Sequence, residues 1–104
     1  MKSYWVYILS NNTGTLYVGV TGNLSLRIHQ HKLKVIKGFT QRYNITRLVY
    51  FEEFSQIKDA INAEKMLKGW TRIKKLNLIK SINPNLEDLF SPADPSATLQ
   101  DDNN

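Results

Sequence analysis

Three consecutive stretches decide the fold: the run Tyr4-Trp5-Val6-Tyr7-Ile8-Leu9, the break at Ser10-Asn11-Asn12-Thr13-Gly14, and the return Leu16-Tyr17-Val18-Gly19-Val20. Aromatic and β-branched residues crowd both runs, as strands prefer, and the Asn and Gly between them tolerate the positive φ of a hairpin turn. An antiparallel hairpin is therefore expected. Alternation puts Trp5, Tyr7 and Leu9 on one face of the first strand; on the second, Tyr17 and Gly19 share a face, with Val18 and Val20 opposite. A glycine at position 19 weakens the strand interior, which is understandable if another backbone approaches closely there.

Downstream, Thr21-Gly22-Asn23 interrupts the chain, and Asn23 suits the N-cap of a helix from about Leu24 to His31. A basic loop is expected from Lys32 to Thr46, then a third strand over Leu48 to Phe54. Ser55 can cap a second helix running to about Lys68 and stopped by Gly69, and Thr71 to Ile82 reads as a third helix ended by Asn83-Pro84. The order β-β-α-β-α-α implies an α+β domain, a small three-stranded antiparallel sheet flanked by helices. The domain is expected over residues 1–90, and the Ser, Pro and Asp of residues 91–104 read as a disordered acidic tail.

With 104 residues, 41% of them hydrophobic, the chain has room for one ordinary domain and not for two. The lack of cysteine excludes disulfides, thiolate metal sites and cysteine nucleophiles. No apolar run approaches the roughly 18 residues that span a bilayer. The opening Met1-Lys2-Ser3-Tyr4-Trp5 lacks the apolar core and cleavage site of a secretory signal, so a cytoplasmic protein with no membrane partner is expected. All 14 Lys and Arg precede Pro84 and face only Glu52, Glu53, Asp59 and Glu64 there, a formal +10, whereas the last 21 residues carry five acids and no base. A body so basic points to a polyanionic partner, nucleic acid before membrane. Gly-rich phosphate loops, the His-Glu-x-x-His metalloprotease motif, zinc fingers and nucleophile elbows are all missing.

Two helices carry polar residues where a simple amphipathic pattern would not. The second helix has an apolar stripe of Ile57, Ala60, Ile61 and Leu67, and Glu64 falls on it. A carboxylate facing a core is costly unless it is paired or bound to a metal, whereas at the stripe's edge it can snorkel to solvent or pair with a nearby base. In the first helix Leu24, Ile28 and His31 share a face, with Arg27 one turn before His31 so that both heads can reach one site. Arginine suits bidentate phosphate contact and histidine moves protons near neutral pH.

Together these elements resemble the GIY-YIG nuclease superfamily over residues 4 to about 90. Trp5-Val6-Tyr7 and Tyr17-Val18-Gly19 stand for the two eponymous tripeptides, with Trp-Val replacing Gly-Ile in the first. Arg27 and His31 match the family's helical Arg and the His or Tyr one turn later, and Glu64 matches its metal-binding Glu. The segments Gly38-Phe39-Thr40 and Lys-Gly-Trp-x-Arg-x-Lys-Lys at 68–75 are similar to those of small stand-alone bacterial members. The resemblance implies a metal-dependent endonuclease acting on DNA rather than RNA, structure-selective and tied to repair or recombination. It implies a single Mg²⁺ or Mn²⁺ on Glu64 and catalytic roles for Tyr7, Tyr17, Arg27, His31 and Glu64. Asn77 is the candidate for a further polar residue on the last helix. Lys32, Lys34, Lys37, Arg42, Arg72, Lys74 and Lys75 are the expected phosphate contacts. A non-catalytic nucleic-acid-binding module on the same fold is the alternative; a monomer and a weak dimer are both compatible with the chain.

Overall fold

The computed structural model describes residues 2–90; the expected acidic tail, 91–104, lies outside the described residues. Seven elements follow in order: β1 Tyr4–Ser10, β2 Leu16–Thr21, α1 Leu24–Lys32, α2 Phe39–Arg42, β3 Arg47–Phe54, α3 Ile57–Lys68 and α4 Arg72–Ile82. The strands form an antiparallel sheet of order β2-β1-β3. The α+β architecture is thus the one the hydrophobic patterns predict, with one addition. The loop between Lys32 and Thr46 contains the single turn α2, whose apolar content is too slight to announce it.

β1 is central and buried on both faces, which explains its almost unbroken apolar run. Val6 and Ile8 point into a core with Val18 and Val49 of the sheet, Ala60 and Leu67 of α3, and Ile79 of α4. Tyr7 and Leu9 point the other way, into a second core with Leu24 and Ile28 of α1, Ile45, Leu48 and Phe90. The sheet therefore separates α1 from α3 and α4. A register shift between Ile8 and Leu9 in the β1–β3 ladder, where Ile8 faces Tyr50 and Leu9 faces Leu48, leaves Val49 as the extra residue.

Local chemistry sets the boundaries. Asn23 caps α1 as expected, its Oδ1 accepting from Leu26 N at 3.1 Å. Thr71 caps α4 through Lys74 N at 3.2 Å. Ser55 does not cap α3: the N-cap is Gln56, without a side-chain bond, because the chain stays extended for one residue more. Asn83 ends α4 and is buried, donating from Nδ2 to Val49 O at 3.1 Å and Glu87 O at 2.9 Å. That anchor leads the chain back to seat Phe90, 6% exposed, in the second core. Among the described residues no helix is long and apolar enough to cross a membrane.

Candidate active site

The site begins with a missing side chain. Tyr7 on β1 is directly paired with Gly19 on β2, and a methyl built on Gly19 would lie 2.5 Å from both Cζ and Oη of Tyr7. The neighbour that demands glycine is therefore an aromatic ring, not the backbone that the sequence suggests. The ring crosses the edge strand through the space a Cβ would fill, carrying its hydroxyl towards the sheet margin. Tyr17, two residues before Gly19 on the same face, stands beside it with ring centroids 6.4 Å apart.

α1 supplies the next two groups. Its tight entry, in which Thr21 Oγ1 accepts from Asn23 N at 3.0 Å, turns the chain from β2 onto the sheet face bearing Tyr7. His31, only 3% exposed, places Nε2 3.0 Å from Tyr7 Oη, and its ring centroid lies 5.8 Å from that of Tyr7 and 5.9 Å from that of Tyr17. Arg27 is half-buried and acts electrostatically on both Tyr7 and His31. His31 Nδ1 is 3.1 Å from Thr40 Oγ1 on α2. In the sequence Thr40 stands only within the Gly38-Phe39-Thr40 tripeptide, and nothing in its own position marks it.

The electrostatics follow from burial. Burial first, then the neighbouring Tyr17 and the Glu64 charge, push the Tyr7 hydroxyl well above its ordinary value, with Arg27 opposing them. Tyr7 is thus a phenol at neutral pH. Burial, seconded by the Arg27 charge, lowers His31 to about 4, so its imidazole is neutral at pH 7 and one nitrogen is free to accept. An unfolded imidazole titrates near 6.5, so between that value and about 4 the unfolded chain binds a proton that the folded chain refuses. Stability is expected to fall as pH drops through this window, by about 2–3 kcal/mol at pH 4.5. Urea denaturation of the wild type and of His31→Gln at pH 7 and pH 4.5 checks this; equal losses in both proteins would place the titrating group elsewhere.

Glu64 approaches from α3. Its side chain is 17% exposed and pairs at 2.9 Å with Lys68, itself 54% exposed, while its second oxygen accepts no hydrogen bond from the described residues. Both alternatives left open by the stripe are therefore compatible with its position: a base is present, and a carboxylate oxygen remains for a metal. Among the described residues no three His, Asp or Glu gather as a ready-made metal cage. One carboxylate oxygen completed by water and phosphate oxygens is nevertheless the donor set in which Mg²⁺ or Mn²⁺ is commonly held. The apolar stripe itself is narrower than expected. Ala60 and Leu67 are buried, but Ile57 is 52% exposed and joins Ile61, Tyr4, Val20 and Arg27 around a shallow cleft beside the site.

The basic residues divide. Lys32 forms an ion pair with Asp88, donates to Thr46 O at 2.9 Å and lies over the Phe90 ring, so its ammonium ties the end of α1 to the closing segment. Lys34 donates to Asn44 Oδ1. Arg42 lies over Tyr43, Lys74 over Trp70, and the Arg72 guanidinium covers Gly14 in the hairpin turn. Lys37 is exposed and Lys75 half-buried, neither in an ion pair among the described residues. Asn77 is exposed on α4, with no side-chain hydrogen bond to the Tyr7 group.

A family model described as the GIY-YIG catalytic domain matches residues 3–77. The chain is similar to a UPF0213 protein of Staphylococcus aureus strain Mu3, 34% identical over 80 residues that make up 77% of this chain and 98% of the relative. The UPF0213 protein of strain N315 matches with the same figures. The chain is also similar to the solution NMR structure of a UPF0213 protein from Bacillus halodurans, with a TM-score of 0.55 at 26% identity, covering 88% of this chain and 97% of that one.

Proposed function

Because the chain belongs to the GIY-YIG catalytic-domain family, a family of nucleases, we propose that it is a divalent-metal-dependent endonuclease hydrolysing phosphodiester bonds in DNA. The observation that carries this reading is the buried pair of Tyr7 Oη and His31 Nε2 at 3.0 Å, formed over Gly19 with Arg27 and Glu64 acting on the same hydroxyl. A tyrosine serving only the core would need one hydrogen-bond partner for its hydroxyl, not a guanidinium and a carboxylate as well.

Each residue has a chemical task. Arg27 binds the non-bridging oxygens of the scissile phosphate and offsets charge that builds there. Tyr7 takes the proton of the attacking water while its own proton passes to His31 Nε2. A phosphodiester seated on Arg27 neutralises one of the two causes that hold His31 low, so substrate binding makes the imidazole a better acceptor. Tyr17, half-buried at the open side, orients the water. Glu64 would hold the Mg²⁺ or Mn²⁺, which when bound supplies Lewis-acid polarisation of the phosphate and stabilises the leaving oxygen. Lys34, Lys37, Arg42, Arg72, Lys74 and Lys75 supply phosphate contacts along the duplex, whereas Lys32 serves the fold.

Supercoiled plasmid and single-stranded DNA, incubated with Mg²⁺ or Mn²⁺ and with an EDTA control, test the proposal. The wild type is expected to cut only with metal, and Tyr7→Phe to cut slower by about 10²–10⁴-fold. Salt-sensitive DNA binding by the wild type without any cleavage would overturn the enzyme reading and leave a binding module.

A further inference from the structure

The basic loop between α1 and β3 is elaborately tied for a segment that buries only Thr40 and Ile45. Gly38, at φ +117, opens α2, and Asn44, at φ +56, closes it. Gln41 Nε2 donates to Lys34 O at 3.1 Å, Asn11 Nδ2 donates to Tyr43 O at 2.7 Å, and Ile45 N donates to Thr40 O at 2.9 Å. Ile45 is fully buried in the core that holds Tyr7. Of the four α2 residues only Thr40 is buried. A helical threonine commonly returns its hydroxyl to a carbonyl on the preceding turn. Here the side-chain partner of Thr40 is His31 Nδ1 instead.

We propose that Thr40 is a positioning residue for His31: its hydroxyl accepts the Nδ1 proton and holds the imidazole in the tautomer whose Nε2 is free to take the proton of Tyr7. The kinetic consequence rests on the nuclease reading above; the tautomer does not. The direction of the bonds follows from the phenol. Among the described residues the Tyr7 hydroxyl has His31 Nε2 as its hydrogen-bond partner, and a buried phenol donates its proton where an acceptor is in reach. A neutral ring accepting at Nε2 carries its hydrogen on Nδ1, and Thr40 Oγ1 is the acceptor 3.1 Å away. The β-branch of threonine also restricts χ1, so the hydroxyl is kept on target with little rotameric freedom.

Two variants and two readouts test this. In a long-range ¹H–¹⁵N spectrum at pH 7, wild-type His31 should show a protonated Nδ1 and an unprotonated Nε2. Thr40→Val, nearly isosteric, removes the acceptor and should shift the ring towards the Nε2–H form; Thr40→Ser should restore the wild-type pattern. In plasmid nicking, Thr40→Val should lower kcat by about tenfold to a hundredfold, the range typical of lost orienting partners, with KM unchanged and with recovery in Thr40→Ser. A folded Thr40→Val protein that keeps the Nδ1–H pattern overturns the proposal, as does a shifted tautomer that Thr40→Ser fails to restore. If the wild type cuts no DNA, the nuclease reading fails while the spectra still decide the role of Thr40.

Discussion

Glu64→Ala is expected to yield a folded protein that no longer cuts DNA, with activity down by about 10³-fold or more, because the variant loses the carboxylate proposed to hold the metal. Stability should barely change. The only charge partner of the carboxylate among the described residues is Lys68, more than half exposed, and pairs of that kind contribute about 0–1 kcal/mol. The split between readouts is what makes the experiment decisive. A carboxylate that mattered to the helix alone would lower the melting temperature and leave specific activity intact. Glu64→Gln, which keeps shape and removes charge, should behave as Glu64→Ala does, and Mn²⁺ binding followed by its paramagnetic effect on nearby resonances should disappear in both. Unchanged nicking in either variant would sink the metal role.

Gly19→Ala should produce the opposite signature, a joint loss of stability and activity. The added methyl would meet Tyr7 Cζ and Oη at 2.5 Å, and these atoms belong to a ring that is 1% exposed, not to the free end of a flexible chain. Overpacking of this type costs about 1–3 kcal/mol. The ring must shift, and with it the hydroxyl that meets His31; misplacement by about an ångström commonly costs about 10²-fold in rate. Urea denaturation and plasmid nicking measure the two losses. In a Tyr7→Leu background the shorter side chain leaves room for the methyl, so the stability penalty of Gly19→Ala should largely vanish there. Equal penalties in both backgrounds would mean that the methyl clashes with something other than the Tyr7 ring.

Much of this protein was legible before folding. The hairpin, the third strand and the long helices follow from periodicity and from capping residues such as Asn23, because those signals are written within a few residues of where they act. α2 is not legible there, since one helical turn has no period to detect and its buried face is a single threonine. Ser55 was plausible as a cap and Ile57 as a core residue; both depend on where the chain leaves β3, which propensity does not specify. Net charge pointed to a polyanion, yet it could not tell that the Lys32 ammonium is tied to Asp88, 56 residues away.

By itself the sequence determined the types of the six longer elements and the kinds of chemistry available: phenols, an imidazole, a guanidinium and one misplaced carboxylate. Tertiary structure alone decided which of these meet. Tyr7 and His31 are separated by 24 positions and His31 and Thr40 by 9, and the Tyr7 ring finds its place only through the register that sets it opposite Gly19. Local propensity acts over one or two turns of chain, whereas a hydrogen bond between buried groups exists only where packing has excluded water and closed the distance. The neutral His31, the raised Tyr7 and the committed Lys32 are therefore properties of the packed fold, not of the residues that compose it.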